Sequence, residues 1–361
     1  MIDMSKAFDL VDHTLLLEKL ETYKCSPQTL SWFRSYLMDR KQVVKINTNY
    51  SKPCNIKTGV PQGSILGPLL FLVFINDLSL NITSQKCMYA DDITTYVSGN
   101  SAEILEEKLQ KDFDNVSDWC MENRMSISEP KTRSTIMSTK ETIQKINIIG
   151  KSNNNPIQHL DENMLLGIYI DRKLKWKKQV SYVKKRVNYK LSLLRRIKKY
   201  LPTHARIMFY NFYVLPLIDY CCSVWGNCSK ENQNVITKLQ KKAARLILDA
   251  EFRTSSRDMF EKLHWLPFPE RVKYHQAVLV YKSLNNLLPS YMQNLFTFNK
   301  NVCQYKTRST TNNHLFIPRT HRQSLSFCGV KIWNQLNNTI RNASSVKLFK
   351  KQYIDMKMSE L

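Results

Sequence analysis

Two adjacent carboxylates, Asp91 and Asp92, sit between two short runs of strand character. The runs are Cys87-Met88-Tyr89-Ala90 and Ile93-Thr94-Thr95-Tyr96-Val97. β-Branched and aromatic residues around a two-residue polar pair read as a tight hairpin. Such a turn holds two carboxylates at the tip of a sheet, where they can share divalent cations. Asp-Asp in a turn is by itself commonly only a turn, so its company decides. Asp3 ends a short apolar start. Gln62 lies in Gly59-Val60-Pro61-Gln62-Gly63-Ser64-Ile65-Leu66-Gly67-Pro68, which holds three of the chain's eight glycines. Glycine permits close backbone approaches that other residues cannot make. A glycine-rich helix entry can offer free N–H groups to an anion. A structural loop capped by proline is the alternative.

The elements that must position these residues can be read from periodicity. Leu15, Leu16, Leu20 and Tyr23 share one helical face, and Leu30, Trp32, Phe33 and Leu37 mark a second short helix. The glycine-rich stretch opens a helix expected over 69–78, hydrophobic nearly all round and hence buried. After the hairpin, Asn100 or Ser101 can cap a helix to about Met121, with Leu105, Leu109, Phe113, Val116 and Cys120 on its buried face. Strands are expected at 134–137 and 146–149, and Leu165–Ile170 as one arm of a hairpin. The first 170 residues thus alternate strand and helix, which fits a sheet backed by helices on one face.

The charge is divided unevenly. Residues 1–160 hold 18 basic and 18 acidic residues, and residues 161–361 hold 36 and 12, so the whole net charge of +24 lies in the second half. From Arg172 to Lys199 there are 13 Lys or Arg and no acid, while Val180, Val183, Val187, Leu191 and Leu194 keep helical spacing. A solvated helix usually mixes signs. One long helix with an apolar seam and a nucleic-acid-facing surface is expected, through Lys184, Lys185, Arg186, Arg195, Arg196, Lys198 and Lys199. Helices at 205–213, 234–248 and 271–288 should follow, then a polar, basic tail with one amphipathic piece near 330–336.

Other classes are set aside. The longest uncharged apolar run, Ile65 to Ile75, is too short to cross a bilayer, and the N-terminus lacks a signal-peptide core. Nine cysteines at irregular spacing, with no Cys-x-x-Cys pair, read as reduced thiols of an intracellular protein of cytoplasm or nucleus, not a secreted one. Cys221, Cys222 and Cys228 are expected to be buried thiols rather than zinc ligands. Cys303, His314, His321 and Cys328 match no zinc-finger spacing.

In order and type these stretches resemble the palm of reverse transcriptases, most closely those of non-LTR retrotransposons of the LINE-type, jockey-like class. Asp3-x-Ser5-Lys6-Ala7-Phe8-Asp9 is similar to that family's first palm motif, Gly59 to Pro68 to its second, and Tyr89-Ala90-Asp91-Asp92 to its third. Lys131-Thr132 is similar to the fourth, and Leu166-Gly167-Ile168, followed by Asp171 and Trp176, to the fifth. The likeness runs on through Leu215-Pro216, Asp219-Tyr220-Cys221, Val224-Trp225-Gly226, Phe327 and Trp333-Asn334, nearly the whole chain.

The resemblance implies an α+β fold. An antiparallel palm sheet backed by helices, with partial fingers, would occupy 1–171, a basic all-helical thumb 172–290, and a basic C-terminal region 291–361. It implies RNA-directed DNA synthesis, with an RNA template, a DNA primer and deoxynucleoside triphosphates as partners and no membrane. Two Mg²⁺ ions, or Mn²⁺ in their place, would be held by Asp3, Asp91 and Asp92. Lys131 would be a general acid. Phe8 would exclude a ribose 2′-hydroxyl, and Gln62 and Gly63 would lie at the nucleotide. In the family, fingers and more of the palm precede the first motif. The chain is therefore expected to be the later part of a longer frame, weak or inactive alone, with the Asp3 strand prone to fray. The competing readings are a non-catalytic nucleic-acid-binding remnant of a transposable element and another two-metal enzyme such as a nuclease.

Overall fold

The element on which the first half turns is a hairpin, β1 (Gln85–Tyr89) with β2 (Asp92–Tyr96), paired antiparallel from Gln85↔Tyr96 to Tyr89↔Asp92. The computed structural model describes residues 1–138, 145–151, 154–302, 314–320 and 322–360. The chain forms two compact units, Met1–Asn163 and Met164–Leu361.

The first unit has a core of Leu16, Leu70, Phe71, Phe74, Ile93, Val116 and Trp119. Helix α1 (His13–Thr22) starts where the Asp12 carboxylate accepts from the N–H groups of Thr14 (2.9 Å) and Leu15 (3.1 Å). Helix α2 (Pro27–Leu37) is capped by Ser26 and packs on α1. Helix α3 (Leu66–Ile75) buries Leu70, Phe71, Phe74 and Ile75, while Leu69 and Leu72 are each more than half exposed. The expectation of an all-round buried helix is thus corrected. Only one face of α3 has a partner, and hydrophobicity alone cannot say which faces do. Helix α4 (Ala102–Glu122) is capped by Ser101 and buries Leu105, Phe113, Val116 and Cys120.

Strand pairing in this unit is sparser than one continuous sheet. The segment before α1 makes single bridges, Ile2↔Ile93 and Met4↔Ile127, both antiparallel. It can pair for only a few residues because Lys6 turns into the left-handed region at φ +46°. At 134–137 only Arg133–Ser134 is strand, paired in parallel with Gln158–His159, and at 146–149 there is a single bridge, Ile149↔Pro156.

The chain enters the second unit within strand β3 (Glu162–Leu165), which pairs with β4 (Ile168–Asp171). Helix α5 (Lys177–Ile197) follows and buries Val180, Val183, Val187, Leu191 and Leu194. Each such side chain contributes roughly 1.5–3 kcal/mol when fully buried. The seam packs on helix α6 (Lys230–Leu248). Trp225, fully buried, stacks on Phe268 at 5.3 Å, and its Nε1 donates to the Tyr220 carbonyl (2.8 Å). A Cβ on Gly226 would come within 2.4 Å of Val272, so glycine lets this turn sit against helix α7 (Phe268–Leu284). The tail is folded. Helices α8 (Leu325–Gln335) and α9 (Val346–Ser359) pack on α7 through Val330, Trp333, Phe349 and Tyr353, with Tyr281 stacked on Phe349 at 4.5 Å. Among the described residues, no helix is long and apolar enough to cross a membrane.

Candidate active site

The hairpin turn falls one residue earlier than the polar pair suggests. Tyr89↔Asp92 closes the ladder, so Ala90 and Asp91 form the loop and Asp92 begins β2. Ala90 sits at φ +52°, a conformation unusual for a residue with a side chain. Such local strain gathers at functional sites.

The Ile2↔Ile93 bridge is antiparallel, with Ile2 N–H donating to the Ile93 carbonyl at 2.8 Å. That register sets residue 3 across from residue 92. On the other side, Ser128 N–H donates to the Asp3 carbonyl (2.8 Å) and Asp3 N–H to Thr132 Oγ1 (3.3 Å). Asp3 is therefore held from both sides. Its Oδ1 is sealed from solvent and accepts no hydrogen bond, although the side chain as a whole is 39% exposed. Lys131 Nζ stands 3.8 Å from that oxygen on a side chain that is 71% exposed. Asp3, Asp92 and Lys131 thus meet beside the Asp91 turn.

The electrostatics carry the same signature. The Asp92 carboxyl lies above the usual carboxylate range. Partial desolvation is the first cause, though much of the side chain remains exposed, and repulsion from Asp91 and then Asp3 adds to it. Above its raised pKa the folded state carries a repulsion that the unfolded chain lacks. That cost is absent below the unfolded value of about 4 and grows as pH rises. Asp92→Asn should therefore raise the melting temperature at pH 7 in EDTA, with the gain fading as pH falls toward about 4. Thermal denaturation measures this; a lowered melting temperature in EDTA would contradict it.

Phe8, Gln62 and Gly63 form a neighbouring group. Val60 N–H donates to the Phe8 carbonyl (2.9 Å) and Gly59 N–H to the Val11 carbonyl (2.7 Å), which lays the glycine-rich loop along residues 8–11. Gln62 Nε2 donates to Asp9 Oδ1 at 2.8 Å. Phe8 is half-buried and stacks on Phe71 at 4.3 Å. Gly63 sits at φ +78° with open space where a Cβ would be, so conformation and not crowding requires glycine there. Ser64 Oγ accepts from Gly67 N–H (2.9 Å), so one donor of the helix entry is already occupied.

Two residues escaped the sequence reading. Asp9 orients Gln62, and the only signal was its place at the end of the first motif. Asp112 of α4 is fully buried and accepts from Thr83 N–H and Thr83 Oγ1, each at 2.8 Å, and from Ser84 N–H. Burial pushes its pKa up, but those hydrogen bonds outweigh it and hold the carboxyl below the usual range. Asp112 thereby pins the entry to β1; a lone Asp on an amphipathic helix gives no sequence cue to this.

In the second unit Lys184, Lys185, Arg186, Arg195, Arg196 and Lys199 are exposed on or just after α5, while Lys198 pairs with Asp249 (2.5 Å). Among the described residues, one group of metal-ligand types has all its donor atoms within 4.8 Å: Asp219, Cys222 and His275. Arg271 already occupies both Asp219 oxygens, and burial pushes the Cys222 thiol far up. This is a buried ion pair, not a cation site. Cys222 and Cys228 are buried, but Cys221 is exposed, contrary to expectation, because it forms a left-handed turn (φ +49°) between two short helices. Cys303 and His321 lie outside the described residues.

Comparison with known proteins gives these positions a family. The profile described as reverse transcriptase (RNA-dependent DNA polymerase) matches residues 1–183. The chain is 28% identical over 290 residues to the Drosophila melanogaster protein named "Probable RNA-directed DNA polymerase from transposon BS", covering 76% of this chain and 32% of that one. It is 27% identical over 271 residues to the RNA-directed DNA polymerase from mobile element jockey of Drosophila funebris, covering 72% and 29%. The chain spans about a third of the length of these relatives. Asp3, the glycine-rich loop, the Asp91 hairpin and Lys131 all fall within the matched span, and the chain belongs to the reverse transcriptase family, among those of non-LTR, LINE-type retrotransposons.

Proposed function

We propose that Asp3, Asp91 and Asp92 form the metal-binding centre of an RNA-directed DNA polymerase, with the first unit as palm and the basic helices of the second as thumb. One observation carries this reading. Asp3 is opposite Asp92 across the Ile2↔Ile93 bridge, with a sealed carboxylate oxygen that lacks a hydrogen-bond partner. Three carboxylates gathered there leave more negative charge than the exposed Lys131 ammonium, 3.8 Å from the sealed oxygen, can offset, and a bound cation would compensate the rest. The donors are hard oxygens, which suit two Mg²⁺ ions, or Mn²⁺. When bound, such a pair activates a primer 3′-hydroxyl and stabilises charge on the departing pyrophosphate.

The protein's own groups have separate tasks. Asp3 and Asp91 would hold the ions, with Asp92 in a lesser part. Lys131, exposed beside Asp3, donates a proton to the pyrophosphate as it leaves. Gln62, oriented by Asp9, and Gly63 line the place of the incoming deoxynucleotide. Phe8, braced by Phe71, bars a ribose 2′-hydroxyl. Exposed cations on α5 contact template–primer phosphates without reading sequence.

The test is Mg²⁺-dependent extension of a DNA primer on an RNA template, comparing the wild type with Asp91→Asn. The ratio between the two proteins is the readout.

A further inference from the structure

We propose that a pocket between the C-terminal ends of α5 and α6 takes one unpaired nucleotide of a nucleic-acid strand. The pocket has a volume of about 440 Å³ and is lined by Arg195 and Lys198, by Lys242 and Arg245 of α6, and by Asp249 and Phe252 beyond it. That volume lies in the range of small-ligand sites, about 300–1,000 Å³. The single acid is already committed, since Asp249 is bonded to both Lys198 and Arg206. Arg195 makes no ion pair among the described residues, and Lys242 makes only a hydrogen bond to Asn188 Oδ1 at 3.1 Å. Arg245 Nε is sealed from solvent and has no acceptor. Its guanidinium lies 5.6 Å from the Phe252 ring centre. Phe252 is 88% exposed.

Cations at helix C-termini complement the helix dipole, and that would account for Arg195 and Arg245 as lone side chains. It does not account for a phenyl ring held in water. A phosphate in the pocket would meet Arg195 and Lys242, neither of which pairs with a carboxylate among the described residues. A base stacks on the free face of Phe252 without regard to its identity. Cations beside an exposed aromatic ring fit a nucleotide better than an acidic peptide, which has no flat apolar face to offer. The site differs from duplex contact along α5, because a stacked base must be unpaired. It rests on the reading of the second unit as a nucleic-acid-binding one.

The experiment measures affinity of the full chain for a blunt RNA–DNA duplex and for the same duplex with a single-stranded RNA overhang, by fluorescence anisotropy at low and high salt. The wild type should prefer the overhang, and blunt-duplex affinity should fall steeply with salt. Stacking is worth about 1–3 kcal/mol per base, so Phe252→Ala should weaken overhang binding about 5- to 150-fold. Blunt-duplex binding should change less than about twofold, and Phe252→Tyr should keep the preference. Equal losses on both substrates, no loss on the overhang, or no wild-type preference would overturn the pocket. Wild-type binding that ignores salt would instead remove the reading beneath it. The ring is exposed, so its removal leaves folding intact, and circular dichroism checks that.

Discussion

Asp91→Asn will slow divalent-dependent nucleotide addition by about a thousandfold or more. Charge stabilisation by a bound metal pair is worth several kcal/mol, and each 1.36 kcal/mol is a factor of ten in rate. Asparagine keeps the shape of the side chain but loses the negative charge that holds a cation. Asp91 is a loop residue of the hairpin, so the ladder from Gln85↔Tyr96 to Tyr89↔Asp92 does not depend on it. The loss should therefore appear in rate without any fall in melting temperature. Single-turnover extension of a labelled primer measures it. A variant that retains more than about a tenth of the wild-type rate would show that the carboxylate is not a ligand to reacting groups.

Asp219→Ala will destabilise the second unit by about 3–5 kcal/mol, the usual cost of breaking a buried ion pair by removing one partner. Asp219 and Arg271 are 19% and 20% exposed, so little water replaces the missing partner. Burial pushes the Asp219 pKa up, but the His275 ring 3.4 Å away, hydrogen bonds from Arg271 and the Arg271 charge outweigh it, leaving it lowered. A lowered pKa means stability that is present above the unfolded value of about 3.9 and lost as pH falls through the folded one. Urea denaturation at pH 7 and at pH 3 should show the wild-type advantage over Asp219→Ala shrinking in acid. Asp219→Leu combined with Arg271→Met should recover much of the loss, since apolar pairs of similar volume often match buried ion pairs. A loss below about 1 kcal/mol for Asp219→Ala would place the pair with surface salt bridges.

The sequence shows most where the cause is local. Ser101 caps α4, the valine and leucine spacing builds the α5 seam, and the residues around Asp91-Asp92 make a hairpin. The turn moves by one residue because Ala90 adopts a left-handed conformation, which no alanine advertises. The two-sided grip on Asp3 comes from residues 93 and 126–132, far along the chain, and leaves no periodic trace. Leu69 and Leu72 show the converse: apolar residues signal a wish to be buried, not the presence of a partner. In the tail, composition hides structure. Half of helix α9 is polar or charged, and the Ser345 cap and the four-residue step from Phe349 to Tyr353 mark its buried stripe.

The central claim is that Asp3, Asp91 and Asp92 hold divalent cations together, and iron-directed cleavage tests it without needing turnover. Fe²⁺ with ascorbate and peroxide replaces Mg²⁺ and releases hydroxyl radicals that cut the backbone beside the bound ion. Mass spectrometry of the fragments then locates the site. Cuts are predicted near residues 2–4, 90–93 and 128–132, suppressed by excess Mg²⁺ and lost in Asp91→Asn. Cuts confined to other parts of the chain, or cuts at these places that persist unchanged in Asp91→Asn, would contradict the assignment.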